Sequence, residues 1–350
     1  MMRGVLPVAV LATLVVSFAA PAGAAPVDAA GAAPADAAPS EQLGQGWTPQ
    51  PSLGLARAGL DVATVSGQIF AIGGFNGDAA NPEVYSTVEA RDVSGDGRWR
   101  MLAPMPTART NPAAATLGGF VYVAGGFGAN DETLNVVERF DPRTGAWQSS
   151  PKLPVPVGAA GAAALGGKLY VAGGLAARPT GDEVTGAVFA FDPTRQSWTV
   201  VEPMPTPRWR LRLVAAGGFL YAIGGQSADG RTLSTVERYD PRTNNWSAGR
   251  PMREARAVPG VSVVSNGLRP LFVVIGGVQF EPSTHLLRTS EVYDVLTGTW
   301  YAVDAQLPHA RGSLGGAIES DGTVLAIGGA SDITTPPSAT ADVDALSRHL

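Results

Sequence analysis

Cysteine is absent from this chain of 350 residues, so no disulfide can form and no cysteine-linked lipid can be attached. Only three histidines occur, far apart, and without cysteine they do not suggest a zinc site. Lysine is present only as Lys152 and Lys168, so nearly every cation is an arginine. The net charge of −5 gives no basic surplus for nucleic acid. We therefore expect no metal site, no cofactor and no nucleic-acid partner.

Long apolar runs are also lacking, except for one near the start of the chain. Arg3 precedes the apolar stretch Val5–Ala20, and Ala22-Gly23-Ala24 supplies the small residues that a signal peptidase requires. We expect a signal peptide over residues 1–24, cleavage after Ala24, secretion and no membrane insertion. Residues 25–44 are mostly Ala, Pro, Gly and Ser, a composition that predicts a disordered linker before a domain over residues 45–350.

Glycine is abundant, and its distribution shows an internal repeat. A short apolar strand pattern ending in Gly-Gly occurs six times, at spacings of 48 to 52 residues. The pairs begin at Gly73, Gly125, Gly173, Gly224, Gly276 and Gly328.

Each repeat predicts four antiparallel strands, as the second unit illustrates. Gly118-Gly119 predicts a tight hairpin turn before the strand that ends at Gly125. A third strand ends at a turn that begins Asp141-Pro142, and Trp147 follows Phe140 by seven residues on the fourth strand. The aromatic residue and the Trp recur at this spacing in Phe191 and Trp198, Tyr239 and Trp246, and Tyr293 and Trp300.

The glycine pair, the aromatic residue and the Trp in this order resemble the kelch repeat, from Trp47 to about Leu346. The resemblance implies an all-β, six-bladed β-propeller with four antiparallel strands in each blade. Trp47 has no strands of its own before it, and the sixth unit has no Trp after its glycine pair. We therefore expect the N-terminal strand around Trp47–Pro51 to complete the last blade and close the ring.

A second periodic feature is an arginine after a Pro-containing segment, with Val157 in its place in the third unit. In kelch adaptors that resemble this chain, arginines at this place capture partner carboxylates, so the resemblance implies that they face a ligand pocket. They could instead pair inside each blade with a glutamate of the third strand; Phe189 replaces that glutamate where Val157 replaces the arginine. The arginines are Arg57, Arg109, Arg208, Arg256 and Arg311, and the glutamates are Glu89, Glu138, Glu237 and Glu291.

Two departures from the repeat point more directly to a ligand. The sixth unit is expected to carry Ala341 at the glutamate position, which leaves Arg311 without an internal partner. Trp209 is out of phase with the repeat and precedes Arg210, an arrangement suited to stacking and charge pairing, although a Trp here could also plug the channel. By resemblance to kelch relatives, Asn76, Gln226 and Gln279 are weaker candidates for polar ligand contacts on the same face.

These features predict a monomeric, non-enzymatic binding protein that holds an acidic peptide, acidic protein or glycan at the mouth of the propeller channel. Two alternatives remain open. By resemblance to the sialic-acid mutarotases, the chain could be an enzyme that acts on a sugar acid, which would need a carboxylate or histidine beside a substrate-holding arginine. It could also be an architectural protein of the cell envelope.

Overall fold

The computed structural model describes residues 43–265, 270–334 and 336–348. The predicted signal peptide lies outside these ranges, as does the linker up to residue 42, and the first strand begins at Leu43. All regular elements of the described part are β-strands, and none of it forms a helix able to cross a membrane.

In the described ranges, six antiparallel sheets of four strands form blades 1 to 6, and in each blade the inner strand is named first and the outer strand last. Blade 1 contains Asp61–Val65, Gln68–Ile72, Val88–Asp92 and Arg100–Met101. Blade 2 contains Ala113–Leu117, Phe120–Ala124, Val137–Asp141 and Ala146–Ser150. Blade 3 contains Gly161–Leu165, Lys168–Ala172, Val188–Asp192 and Ser197–Val201.

The other three blades repeat this arrangement. Blade 4 contains Arg212–Ala216, Phe219–Ile223, Val236–Asp240 and Asn245–Ala248. Blade 5 contains Gly260–Ser265, Pro270–Ile275, Ser290–Asp294 and Thr299–Val303. Blade 6 contains Gly315–Ile318, Val324–Ile327, Val343–Arg348 and Leu43–Gln50. Short additional strands are Val157–Gly158, Leu175–Ala176, Glu183–Val184, Val278–Gln279 and His285–Leu286.

The glycine pair is required because the next blade approaches its backbone closely, as blade 2 shows. Both Gly125 and Gly126 have positive φ. A Cβ on Gly125 would overlap the carbonyl oxygen of Val157, and one on Gly126 would lie 2.8 Å from the carbonyl oxygen of Thr110. The N–H of Gly126 donates to the Val157 carbonyl at 2.9 Å, so the pair joins blade 2 to blade 3.

Two sets of backbone hydrogen bonds run completely around the ring. The second glycine of each blade donates to the residue at the arginine position of the next blade, at 2.8 to 3.0 Å. Just before each inner strand, one residue with positive φ donates to its counterpart in the preceding blade, at 2.7 to 3.1 Å. We call this second set the mouth ring; its members are Gly59, Asn111, Ala159, Arg210, Val258 and Ser313.

The hydrophobic core lies between the blades. Six of the buried apolar clusters each combine side chains from two consecutive blades, including one between blade 6 and blade 1. The predicted aromatic residue and Trp pack against each other within their blade at a tilted angle, with ring centroids 5.1 Å apart for Phe140 and Trp147. The predicted six-bladed fold is therefore confirmed, and its blades cohere by burying their faces against each other.

Blade 6 combines both ends of the described chain. Strand Leu43–Gln50 pairs antiparallel with Val343–Arg348, and Trp47 lies opposite Leu346. Trp47 Nε1 donates to the carbonyl of Ala305 at 3.3 Å, as Trp147 donates to the carbonyl of Ala103 at 2.9 Å. Trp47 therefore occupies the repeat position of its sister tryptophans.

Candidate functional site

The five repeat arginines lie inside the blades, with side chains 0 to 1% exposed. Arg109 is representative: Nη1 donates to the carbonyls of Gly125 (3.0 Å) and Val136 (3.1 Å), and Nη2 contacts Glu138 at 2.7 Å. Desolvation lowers the pKa of Arg109, although Glu138 opposes that shift. The same ion pair joins Arg57 to Glu89, Arg208 to Glu237 and Arg256 to Glu291.

Of the two interpretations of these arginines, pairing inside each blade agrees with the structure and the ligand pocket implied by the resemblance does not, because their guanidinium groups are directed into the blade. They donate to carbonyls just after the second strand and just before the third, and a carboxylate of the same blade neutralises the charge. A ligand anion could reach them only by displacing that carboxylate.

The expectation that Arg311 lacks an internal partner is also wrong. Arg311 pairs with Asp344, and its Nη1 donates to the carbonyls of Gly328 (3.2 Å) and Asp342 (3.0 Å). Asp344 lies opposite Ala326, the same register that places Glu138 opposite Val123 in blade 2. Asp344, three residues beyond Ala341, therefore occupies the glutamate position.

Blade 3 shows what replaces the ion pair. Val157 and Phe189, 1% and 3% exposed, belong to one apolar cluster. The predicted joint loss of arginine and glutamate is thus matched by an apolar contact, which avoids leaving a buried charge unpaired.

Trp209, at the channel mouth, differs from the residues at the equivalent position of the other blades. It lies just before the mouth-ring residue Arg210, whose guanidinium carbon is 3.9 Å from the Trp209 ring centroid and 4.9 Å from that of Phe280. Arg210 Nη1 also donates to Gln226 Oε1 at 3.0 Å, and burial lowers the pKa of Arg210 to about 10. The other five blades have small residues where Trp209 stands, namely Ala58, Thr110, Gly158, Ala257 and Gly312.

The three predicted polar contacts are not equivalent. Asn76 is used within its own loop, where its side chain bonds Asn81 and Glu83. Gln226 joins the Trp209 cluster through Arg210. Gln279 is half-buried in its short strand next to Phe280. Of the three, Gln226 contacts the stacked arginine directly, and Gln279 is the chain neighbour of Phe280, which also contacts it.

The loops that follow the glycine pairs form the surface around this cluster, which we call the loop face; the opposite surface, with turns such as Gly118-Gly119, is the hairpin face. In the described part of these loops the exposed arginines are Arg178, Arg231 and Arg288, beside a larger number of exposed carboxylates. These carboxylates are Asp78, Glu83, Asp131, Glu132, Asp182, Glu183, Asp229 and Asp342. The loop face is therefore acidic.

An ion pair that the sequence pattern did not reveal crosses the channel. Arg212 at the start of blade 4 donates through Nη1 to Asp61 of blade 1 at 2.9 Å. Its Nε and Nη2 donate to the carbonyls of Pro259 (2.6 Å) and Leu314 (2.8 Å), beside blades 5 and 6. Asp61 also accepts from the N–H of Ala114 in blade 2 at 2.7 Å.

This pair had a recognisable signal in the repeat. In register, Asp61 and Arg212 occupy the first position of their inner strands, where the other four blades have only Ala or Gly. Opposite charges three blades apart face each other across a six-fold ring. Desolvation raises the pKa of Asp61 although Arg212 lowers it.

No group of three or more side chains suited to hold a metal ion occurs in the part of the chain that the structure describes. His285 and His309 are exposed there, and His349 lies outside the described residues. The arginine–carboxylate combination that the enzyme alternative requires occurs in the channel as Arg212 and Asp61. The Arg212 guanidinium is bonded to Asp61 and to the carbonyls of Pro259 and Leu314, so its donors are used within the protein.

Comparison with known proteins agrees with this architecture. Residues 59–267 match the family model described as the KLHDC2/KLHL20/DRC7 Kelch-repeats domain. This chain belongs to the kelch-repeat family. It is 31% identical over 261 residues to Kelch-like protein 23 of Mus musculus, covering 74% of this chain and 43% of that protein. Kelch-like protein 34 of Homo sapiens is 33% identical over 158 residues, covering 42% of this chain and 23% of that protein.

The chain thus spans less than half the length of the curated relatives it matches. Among solved structures, YjhT shares the fold with a TM-score of 0.68 and 18% identity, over 84% of this chain and 95% of that chain. At this identity the likeness concerns the fold alone. Kelch propellers are commonly protein-binding domains.

Proposed function

We propose that this chain is a protein-binding propeller and that its partner docks on the loop face around Trp209. The observation that carries this proposal is Trp209 itself, a large aromatic residue at a channel-mouth position where the other blades have small residues. Stacking with Arg210, itself in contact with Phe280, restrains the ring and lowers the entropy cost of using it as an anchor.

The charge of the loop face favours a partner with basic side chains. Exposed carboxylates outnumber exposed arginines on the described part of these loops, and two of the three arginines are themselves paired with a carboxylate, in Arg178–Glu183 and Arg231–Asp229. Complementary charges raise the association rate and disfavour partners of like charge, more strongly at low salt.

An acidic peptide or glycan is the second candidate ligand, and the observation that favours it is the cation at the centre of this face. Because the five repeat arginines are committed to their own blades, such a ligand would be held by Arg210 and Trp209. Burial lowers the pKa of Arg210 only to about 10, so the side chain is charged at neutral pH. The two candidates make opposite predictions about peptide charge.

A lysine decapeptide and a glutamate decapeptide distinguish them by titration into the protein at low and moderate salt. We expect the lysine peptide to bind more tightly and to weaken with salt. Trp209→Ala should weaken binding by about tenfold or more if the ring is an anchor. Tighter binding of the glutamate peptide would support the acidic ligand, and binding of neither peptide, or no effect of Trp209→Ala, would contradict the proposed site.

A matched pair of double variants locates the interaction. Asp182→Asn with Glu183→Gln removes two negative charges from the loop face, whereas Asp96→Asn with Asp321→Asn removes two from the hairpin face. Only the first pair should weaken the lysine peptide. Equal losses would show a response to net charge alone rather than a site on the loops.

Export of the protein is a separate part of the proposal and is supported by the signal-like residues 1–24. After expression in its source cells, N-terminal sequencing of the protein recovered outside the cytoplasm should begin at Ala25. Recovery of chains beginning at Met1 only within the cytoplasm would contradict export.

A further inference from the structure

The channel contains a cavity of about 290 Å³ that is separate from the loop face. This volume equals the share of about ten water molecules in the liquid, comparable to a monosaccharide. All six inner strands line the cavity, mainly with small residues such as Ala115, Ala164 and Gly316. Thr64, at the hairpin end, is exposed, so the cavity opens toward the hairpin face.

The opposite end of the cavity is crossed by the Arg212–Asp61 pair. The Arg212 side chain extends from blade 4 to Asp61 of blade 1, with further bonds beside blades 5 and 6. The mouth ring encircles the channel beyond this pair. The cavity is therefore a pocket with a polar floor and an entrance on the hairpin face.

The chemistry of the floor restricts the ligand. Among the described residues that line the cavity, the charged side chains are Asp61 and Arg212, and they neutralise each other. A ligand with a net charge would lose hydration in this pocket without gaining a counter-ion. An uncharged ligand that carries hydroxyl groups would lose less. Its hydroxyls can bond to Thr64, Thr116 and the floor, while its C–H surface contacts the alanines.

We infer that the channel is a second binding site, for an uncharged hydroxyl-bearing molecule of about monosaccharide size that enters from the hairpin face. This site does not depend on protein binding at the loop face. It also differs from the predicted sugar-acid alternative, because the neutral floor disfavours a carboxylate.

Glucose and glucuronate test this site, because the two sugars differ mainly in one carboxylate. Each is titrated into the whole protein by saturation-transfer NMR or calorimetry at neutral pH. We expect glucose to bind and glucuronate to bind more weakly by about tenfold or more, since its charge would be buried unpaired. Absence of glucose binding, or equal or tighter binding of glucuronate, would overturn the inference.

Variants place the binding in the channel. Thr64→Phe should narrow the entrance without repacking the core and lower glucose affinity by about tenfold or more. Thr144→Phe, on an exposed turn of blade 2, is the matched control and should leave it unchanged. The melting temperature of both variants checks that they fold. If Thr64→Phe folds and still binds glucose normally, the site is not in the channel and the inference fails.

Discussion

Arg311 and Asp344 form the buried ion pair of blade 6, in the same register as the Arg–Glu pairs of blades 1, 2, 4 and 5. Burial raises the pKa of Asp344, against the effect of Arg311, and lowers that of Arg311. The pair therefore depends on both partners, and each would be costly to leave alone in the blade.

Arg311→Ala is expected to lower the free energy of unfolding by about 3–5 kcal/mol, because it leaves Asp344 and two main-chain carbonyls without their donor. Urea unfolding measures this change. The control is Arg143→Ala, since Arg143 is 76% exposed in its pair with Asp141 and should have a much smaller effect on stability. Equal effects of the two variants would show that burial of the pair has no influence on stability.

Gly125→Ala should prevent normal folding or reduce stability severely, because the new Cβ would overlap the Val157 carbonyl of the next blade. Gly145 also has positive φ, but no atom lies within 4 Å of a Cβ built on it. Gly145→Ala should therefore cost only about 1–2 kcal/mol of backbone strain. Thermal unfolding compares them, and similar melting temperatures would contradict the close inter-blade approach.

Deleting residues 45–52 should sharply lower the melting temperature, because this strand completes blade 6 and carries Trp47. Trp47→Ala alone should cost about 3–5 kcal/mol from lost packing. Trp209→Ala is the control, since Trp209 is only partly buried and lies at the channel mouth, whereas Trp47 packs in the core between blades 5 and 6. An unchanged melting temperature after the deletion would show that the N-terminal strand does not close the ring.

The lowered pKa of Asp332 predicts how part of the protein's stability changes with acid. Burial alone would raise its pKa, but hydrogen bonds from Ser338 and Thr334 outweigh that effect and lower it to about 2. The pKa of Asp332 in the folded state is below its unfolded value of 3.8. This carboxylate therefore stabilises the fold above pH 3.8, and the stabilisation is lost as the pH falls toward 2. Asp332→Asn should remove this part of the acid transition in unfolding experiments.

Thr334→Val provides a milder test of the same group. It removes one hydroxyl donor to Asp332, at 2.7 Å, so the loss of stability should begin at a higher pH than in the parent chain. An identical pH profile for the parent chain and both variants would show that Asp332 does not contribute to acid stability.

The parts of the fold that could be predicted were those repeated in all or most units. Glycine pairs recur in all six units, and the aromatic residue with its Trp in four, because each blade meets the same kind of neighbour in the same way. The joint change of Val157 and Phe189 was recognisable for the same reason. The prediction for the sixth blade was wrong because this unit lacks the aromatic residue and its following Trp, the two landmarks that would have placed Asp344 opposite Arg311.

The repeated sequence was enough to predict the number of blades and the class of fold, and to suggest most of the internal ion pairs as one of two interpretations, since these follow from contacts within one unit or between successive units. The folded ring was needed to show which arginines are buried, that Arg210 contacts both Trp209 and Phe280, and that Arg212 meets Asp61. The last contact joins residues 151 positions apart. Such contacts depend on how the ring closes, and a short-range repeat pattern contains no information on distances across its centre.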